Sequence, residues 1–225
     1  MSRPRGDEEL ADLRRRFDVI EVERQVAGAP IVLHVPSSAE ALISEEDFER
    51  DERLPYWADI WPSAVVLAEV LASRDGRGMR ILELGCGAGL VAAAAARAGF
   101  DVCATDYYED ALAFTRVNVR ANAGTTPRTL LLDWRALPDE LPAADLVVAS
   151  DVLYERPYAA LVAETFARAL SAGASGLLAD PGRVALGEFR REAERRGVRV
   201  RRVDEIPFVE GPMSQTIRVH ELSKP

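Results

Sequence analysis

Glu83-Leu-Gly-Cys-Gly-Ala-Gly89 sets an acid two residues ahead of three glycines at alternate positions. A glycine-rich turn from strand to helix lets the backbone come close to a nucleotide-like ligand. Read from Gly87, the run also satisfies the dinucleotide pattern G-x-G-x-x-A, which admits a nicotinamide cofactor. Glu83 separates the two ligands, because a carboxylate there repels a pyrophosphate and suits a group bearing positive charge. S-adenosylmethionine carries a sulfonium and an ammonium and no phosphate, so it meets that requirement.

Three more acids stand where apolar runs end. Asp106 closes the run that begins at Asp101, and a carboxylate there accepts ribose hydroxyls, a need that dinucleotides and S-adenosylmethionine share. Leu132-Asp133-Trp134 offers a carboxylate for an adenine amine and an indole to cover the ring; taken alone it is equally a helix cap with a core tryptophan. Its position at a third strand end favours the ligand role. Ser150-Asp-Val-Leu-Tyr154 ends a fourth strand, so Asp151 and Tyr154 are the candidates for touching a substrate beside the cofactor, with Asp151 as a helix cap the structural alternative.

The elements that must position these residues alternate from residue 80 onward. Strands are expected over 80–85, 101–105, 129–132, 145–150 and 176–179, and helices over 90–98, 110–121 and 184–196, with a further one carrying the apolar residues from Tyr158 to Leu170 at helical spacing. Two β-rich runs follow, 198–203 and 216–222, joined by a loop holding Pro207, Gly211 and Pro212 and close enough to pair antiparallel. Alternating strands and helices imply a doubly wound α/β fold, Rossmann-like, whose mostly parallel sheet ends in an antiparallel edge. Ligands of such sheets bind at the carboxyl ends of the strands. Upstream, 17–23 and 31–35 flank Gly28-Ala-Pro30 as a hairpin, and Pro62 opens a helix with an apolar body over 65–71. Residues 1–16 are read as a flexible tail and 17–225 as one domain, with the hairpin and helix in 17–75 and the core in 79–225.

Composition narrows the function further. With 225 residues, 48% hydrophobic and 29% charged, the chain is an ordinary globular protein of one core. A net charge of −9 argues against a general nucleic-acid surface. Two cysteines, Cys86 and Cys103, rule out a disulfide framework, and no apolar run approaches a membrane span. A reducing, cytoplasmic setting without membrane or metal is expected. His34 and His220 fall in expected strands away from the strand ends and are read as structural. Residues 45–52 form an acidic run that would attract a cationic acceptor or simply face solvent, and the arginines of 190–202, interleaved with glutamates, read as an ion-paired face.

Taken together, these motifs resemble the seven-β-strand class I methyltransferases over about residues 17–222. The Asp151-Val-Leu-Tyr154 tetrad, Tyr56-Trp-Ala-Asp-Ile-Trp-Pro62 and Ala179-Asp-Pro-Gly-Arg183 are similar to the lysine-methyltransferase-like branch. That branch includes the electron transfer flavoprotein β-subunit lysine methyltransferase and the proteins labelled nicotinamide N-methyltransferase-like. The resemblance implies a seven-stranded sheet and S-adenosylmethionine as cofactor. It implies that Glu83, Gly85, Gly87 and Gly89 hold its methionine part, Asp106 its ribose, and Asp133 and Trp134 its adenine. Trp57 or Trp61 would close over it, with Ser150 alongside, and Asp151 and Tyr154 would orient the acceptor. A protein lysine is the first acceptor, a small-molecule amine, pyridine nitrogen or natural-product intermediate the alternative. An NAD-dependent oxidoreductase is disfavoured by Glu83 and by Lys224 being the only lysine; a scaffold without turnover is the remaining reading.

Overall fold

The computed structural model describes residues 5–39, 42 and 55–224. The acidic run 45–52 lies outside the described residues. In chain order the elements are α1 (Arg5–Arg16), β1 (Val19–Val26), β2 (Ala29–Pro36), a 3-10 turn (Tyr56–Ala58), α2 (Pro62–Ala72), β3 (Arg80–Leu84), α3 (Leu90–Arg97), β4 (Asp101–Asp106) and α4 (Glu109–Ala123). They continue as β5 (Arg128–Leu131), β6 (Leu146–Ser150), α5 (Tyr158–Ala169), β7 (Ser175–Asp180), α6 (Leu186–Arg195), β8 (Arg199–Glu210) and β9 (Met213–Ser223).

Seven strands form one sheet in the order β5-β4-β3-β6-β7-β9-β8, and β1 and β2 make a separate hairpin. From β5 to β7 every pairing is parallel; β9 runs antiparallel to both β7 and β8. The short apolar runs make strands because they are covered on both faces, which removes the need for polar alternation. Along β3, Ile81 packs into the layer with α2 and α3, and its neighbour Leu82 into the layer with α5 and α6. Successive side chains of a strand point to opposite faces, so one run feeds two cores.

The antiparallel pair expected at the C-terminal edge is present, with β8 outermost and β9 between it and β7. One expectation is corrected there. Pro207 lies within β8 opposite Thr216, so the connection shrinks to the turn at Gly211. An edge strand has one face of its ladder open to solvent and can absorb a residue without an N–H. The expected ion-paired face is present, with Arg196 bridging Glu164 and Glu192, Arg201 meeting Glu221, and Arg202 meeting Glu205.

The N-terminal stretch also departs from expectation. Instead of a tail, residues 5–16 form α1, with Leu13 buried against Ala111, Phe114 and Val117 of α4. Arg116 Nε donates to Glu9 at 2.6 Å. So polar a sequence gives little sign of a helix by itself; the apolar face of α4 supplies the surface that orders it. α4 also holds the hairpin. Asn118 and Asn122, four residues apart on one helix face, bond the backbone N–H and C=O of His34 and Val32 like a substitute strand along β2.

His220 sits in β9 at 1% exposure, with both ring nitrogens lacking a partner. Burial, then Arg190, Arg202 and Arg218, lower its pKa from 6.5 to about 4. Between those values the unfolded chain binds a proton that the folded chain refuses, so this contribution is present above pH 6.5 and lost as pH falls towards 4, by about 3 kcal/mol at most. Buried carboxyls with raised pKa act in the opposite direction, so the comparison is between variants. In thermal melts from pH 7 to 4.5, His220→Leu is expected to lose less of its melting temperature than wild type; parallel curves would refute the assignment.

Candidate functional site

The chain runs β3, β4, β5 towards one side of the sheet and β6, β7 towards the other, so strand order reverses between β3 and β6. A crevice opens at such a reversal because the connections leave in opposite directions. A cleft of about 310 Å³ lies there, lined by the glycine turn, Asp106, Asp133, Trp134, Ser150, Asp151, Tyr154 and the 56–61 segment. Of the residues expected to hold the cofactor or acceptor, Glu83 alone is missing from its walls.

The turn after β3 is a tight one. Gly85 and Cys86 both donate backbone N–H groups to Thr105 O at 2.9 Å, and Gly87 N–H is held by Asp106 Oδ2 at 2.9 Å. Gly89 has φ +85°, and a Cβ there would stand 2.7 Å from Thr115 Oγ1 and 2.8 Å from its Cα. The glycine at 89 is thus needed to pack the turn against α4 as well as for its left-handed backbone. Thr115 returns the contact by donating from Oγ1 to Gly87 O at 3.0 Å.

Asp106, at 8% exposure, also receives Tyr108 N–H at 3.1 Å on its other oxygen, and burial raises its pKa despite these bonds. Each carboxylate oxygen has a second lone pair, which leaves acceptor capacity facing the cleft. Asp133 lines the cleft but is bound to Arg135, whose Nε and Nη2 reach its oxygens at 3.0 and 2.9 Å. Trp134 packs edge-on against Tyr158, with ring centroids 6.1 Å apart, and stands beside Gly85.

Glu83 corrects the sequence argument. It is 2% exposed, turned towards α3, where it receives the Ala92 amide, and its Oε2 has no partner. Burial, then the Asp106 charge, push its pKa well up. No carboxylate at 83 faces a ligand, so the repulsion of a pyrophosphate does not arise at this residue. Strand alternation is the reason: position 83 points to the helix-covered face, not to the strand end.

Trp57 and Trp61 have different places. Trp57 is 8% exposed, tilted against Phe114 at 5.6 Å, and its backbone carbonyl would stand 3.0 Å from a Cβ on Gly87. Trp61 is half-buried, its Nε1 donates to Tyr56 O at 2.9 Å, and Arg183 lies over its ring at 5.2 Å. Both line the cleft.

At the end of β6, Asp151 adopts φ +55°, unusual for a side-chain-bearing residue. Its Oδ2 accepts Ser63 Oγ–H at 3.2 Å and its Oδ1 accepts Arg183 Nε–H at 2.6 Å. Beyond it stands an aromatic cluster, Tyr154 with Tyr56 at 5.2 Å and Tyr158 at 5.1 Å. Burial, and next the neighbouring Tyr158, hold the Tyr154 phenol above its ordinary range, so it stays an O–H donor.

A family model described as "Lysine methyltransferase" matches residues 46–184. The chain belongs to the lysine methyltransferase family. It is 36% identical over 110 residues to EEF1A lysine methyltransferase 3 of Mus musculus, covering 47% of each chain. Against electron transfer flavoprotein beta subunit lysine methyltransferase of Xenopus laevis it is 35% identical over 136 residues, covering 57% of this chain and 53% of that one. The chain thus spans about half the length of these two curated relatives. Protein N-lysine methyltransferase METTL21A of Danio rerio is 33% identical over 156 residues, 64% of this chain and 71% of that one. Among solved structures, the 16S rRNA N2 G1207 methyltransferase RsmC of T. thermophilus aligns with a TM-score of 0.64 at 17% identity, over 92% of this chain and 51% of that one. A TehB-like SAM-dependent methyltransferase of Corynebacterium glutamicum aligns at 0.55 and 22%, over 74% and 89%. At such identities these two likenesses describe the fold.

Sequence reasoning in this family member missed Ser63 and Arg183 as partners of Asp151, and Arg135 as partner of Asp133. Arg183 had a signal, since it ends the Asp180-Pro-Gly-Arg183 turn at the fifth parallel strand, where Asp180 Oδ1 receives the N–H groups of Gly182 and Arg183 at 2.6 and 2.8 Å. Ser63 had none, because its partner is 88 residues away. Replacing Gly89 by Ala combines a strained backbone with a clash against Thr115 and is expected to cost about 1–3 kcal/mol. Denaturant unfolding checks this; a midpoint equal to wild type would show that the turn is not constrained by that contact.

Proposed function

We propose that the protein is an S-adenosylmethionine-dependent N-methyltransferase acting on a protein lysine. The observation that carries this reading is the single cleft in which the glycine turn and Asp106 meet the Asp151–Tyr154 end. The donor set fits the cofactor: the glycine turn forms a cradle in which a Cβ on Gly85 would stand 3.2 Å from Val152, and Asp106 keeps acceptor capacity for hydroxyls. Gly85, Gly87 and Gly89 would hold its methionine part, Asp106 its ribose and Trp134 with Asp133 its adenine, with Trp57 or Trp61 and Ser150 closing the wall. Glu83 supports this from beneath the turn, without facing the ligand. When bound, S-adenosylmethionine supplies a methyl carbon already activated by the sulfonium.

What the chain must add is alignment and exclusion of water. A carboxylate has about four acceptor sites, and Asp151 uses two of them on Ser63 and Arg183, leaving others for the N–H of a neutral amine. Its left-handed backbone and low exposure fix the direction from which that amine is held. The Tyr154 hydroxyl, kept protonated and hydrogen-bonded to Tyr158, retains oxygen lone pairs that can accept an amine N–H, and the rings of Tyr56, Tyr154 and Trp61 enclose an apolar stem such as that of lysine. The acceptor belongs to the chemistry of amines rather than nucleic acid, in keeping with the net charge of −9. Two free, buried thiols suit a reducing cytoplasm. No described helix is long and apolar enough to cross a membrane. We take α1 as part of the same domain as residues 17–225.

Calorimetric titration is expected to give micromolar binding of S-adenosylhomocysteine and none of NAD. Asp106→Ala is expected to weaken that binding at least about tenfold. Asp151→Asn, which tolerates the left-handed backbone and still accepts from Arg183, is expected to bind S-adenosylhomocysteine normally and to lose transfer of labelled methyl groups to lysate proteins. Binding of NAD alone would overturn the reading, and label recovered only in small molecules would move the acceptor to that class.

A further inference from the structure

Two cations line the cleft among the described residues, Arg135 and Arg183. Arg135 is engaged by both oxygens of Asp133 and by the Tyr107 hydroxyl at 3.2 Å. Arg183 is held differently. Its Nε donates to Asp151, its guanidinium stacks on Trp61, and its backbone N–H is fixed by Asp180. No hydrogen bond from either Nη to a described residue accompanies these contacts, and the side chain is 32% exposed. A guanidinium fixed through Nε and by stacking keeps its Nη edge for a ligand, and a rigid fork loses little freedom when it binds. Two parallel N–H donors on a planar cation match a carboxylate.

Sheet order ranks the site residues across the cleft. Asp133 follows β5, Asp106 ends β4, the glycine turn follows β3, Asp151 follows β6 and Arg183 follows β7. A ligand with adenine at Asp133 and Trp134 and ribose at Asp106 therefore extends its remaining part towards β6 and β7. In S-adenosylmethionine that part is an amino acid, whose carboxylate is matched by a guanidinium with two donors to spare. Resting on the methyl-donor reading above, we propose that Arg183 forms the carboxylate subsite for the amino-acid end of the donor, with Trp61 and Asp180 as its positioning residues. Asp151 then serves twice, holding Arg183 through Oδ1 and keeping acceptor capacity for the amine.

The test compares S-adenosylhomocysteine with 5′-methylthioadenosine, which keeps the adenosine and thioether and lacks the amino-acid group, by calorimetry on the whole chain. In Arg183→Met the affinity for S-adenosylhomocysteine is expected to fall at least about tenfold while that for 5′-methylthioadenosine stays within about twofold. Arg183→Lys, which keeps the charge without the fork, is expected to recover part of the loss. Unchanged S-adenosylhomocysteine affinity in Arg183→Met overturns the subsite, and so does an equal loss for both ligands, which would mark a structural role. If neither ligand binds the wild-type chain, the methyl-donor reading fails and this subsite with it, a result distinct from normal wild-type binding that Arg183→Met leaves untouched.

Discussion

The arrangement of the cleft depends on one desolvated charge, the carboxylate of Asp151. At 8% exposure it is costly unless partnered: Arg183 supplies the compensating charge and Ser63 a further hydrogen bond. Its two partners come from distant parts of the chain: Ser63 from the start of α2 and Arg183 from the turn after β7. Its backbone N–H reaches Ala179 O at 3.0 Å. Satisfying this one group fixes the N-terminal segment, the end of β6 and the end of β7 relative to one another, and with them Trp61, which lies between Arg183 and Tyr56.

A second tie acts on the opposite flank. Asn118 in α4 bonds His34 of the hairpin and Ala88 of the glycine turn, and Thr115 one turn earlier fills the space that Gly89 leaves. α4 thereby joins the turn to the N-terminal hairpin, and through Phe114 it backs Trp57. The cleft is thus rigid where the backbone must come close to a ligand and aromatic where an acceptor would enter. Its acids are mostly committed: Asp106 to amides, Asp133 to Arg135, Asp151 to Arg183. The chemistry left to them is directional hydrogen bonding rather than proton transfer, which suits a reaction whose electrophile arrives already activated.

Much of the fold was legible in the chain because parallel strands covered on both faces read as short apolar runs between helical periods. β3, β4, β6 and β7 fall within one or two residues of their expected limits, and Asp106, Asp133 and Asp151 stand at or just past the ends of β4, β5 and β6. What escaped was set by neighbours. α1 has few apolar residues and is ordered by α4. Pro207 looks like a loop residue and lies in a strand because β8 is an edge.

The site divides along the same line. Sequence by itself determined the types and order of groups at the strand ends: the glycine turn, Asp106, Asp133 with Trp134, and Asp151 with Tyr154. These are local facts, fixed by where a strand stops. Tertiary structure decided which of those groups face the cleft and which are already occupied. It turned Glu83 towards α3, paired Asp133 with Arg135, and brought Ser63 and Arg183 to Asp151 across 88 and 32 residues. Contacts at such separation depend on how the sheet stacks its connections, and no run of neighbouring residues records that.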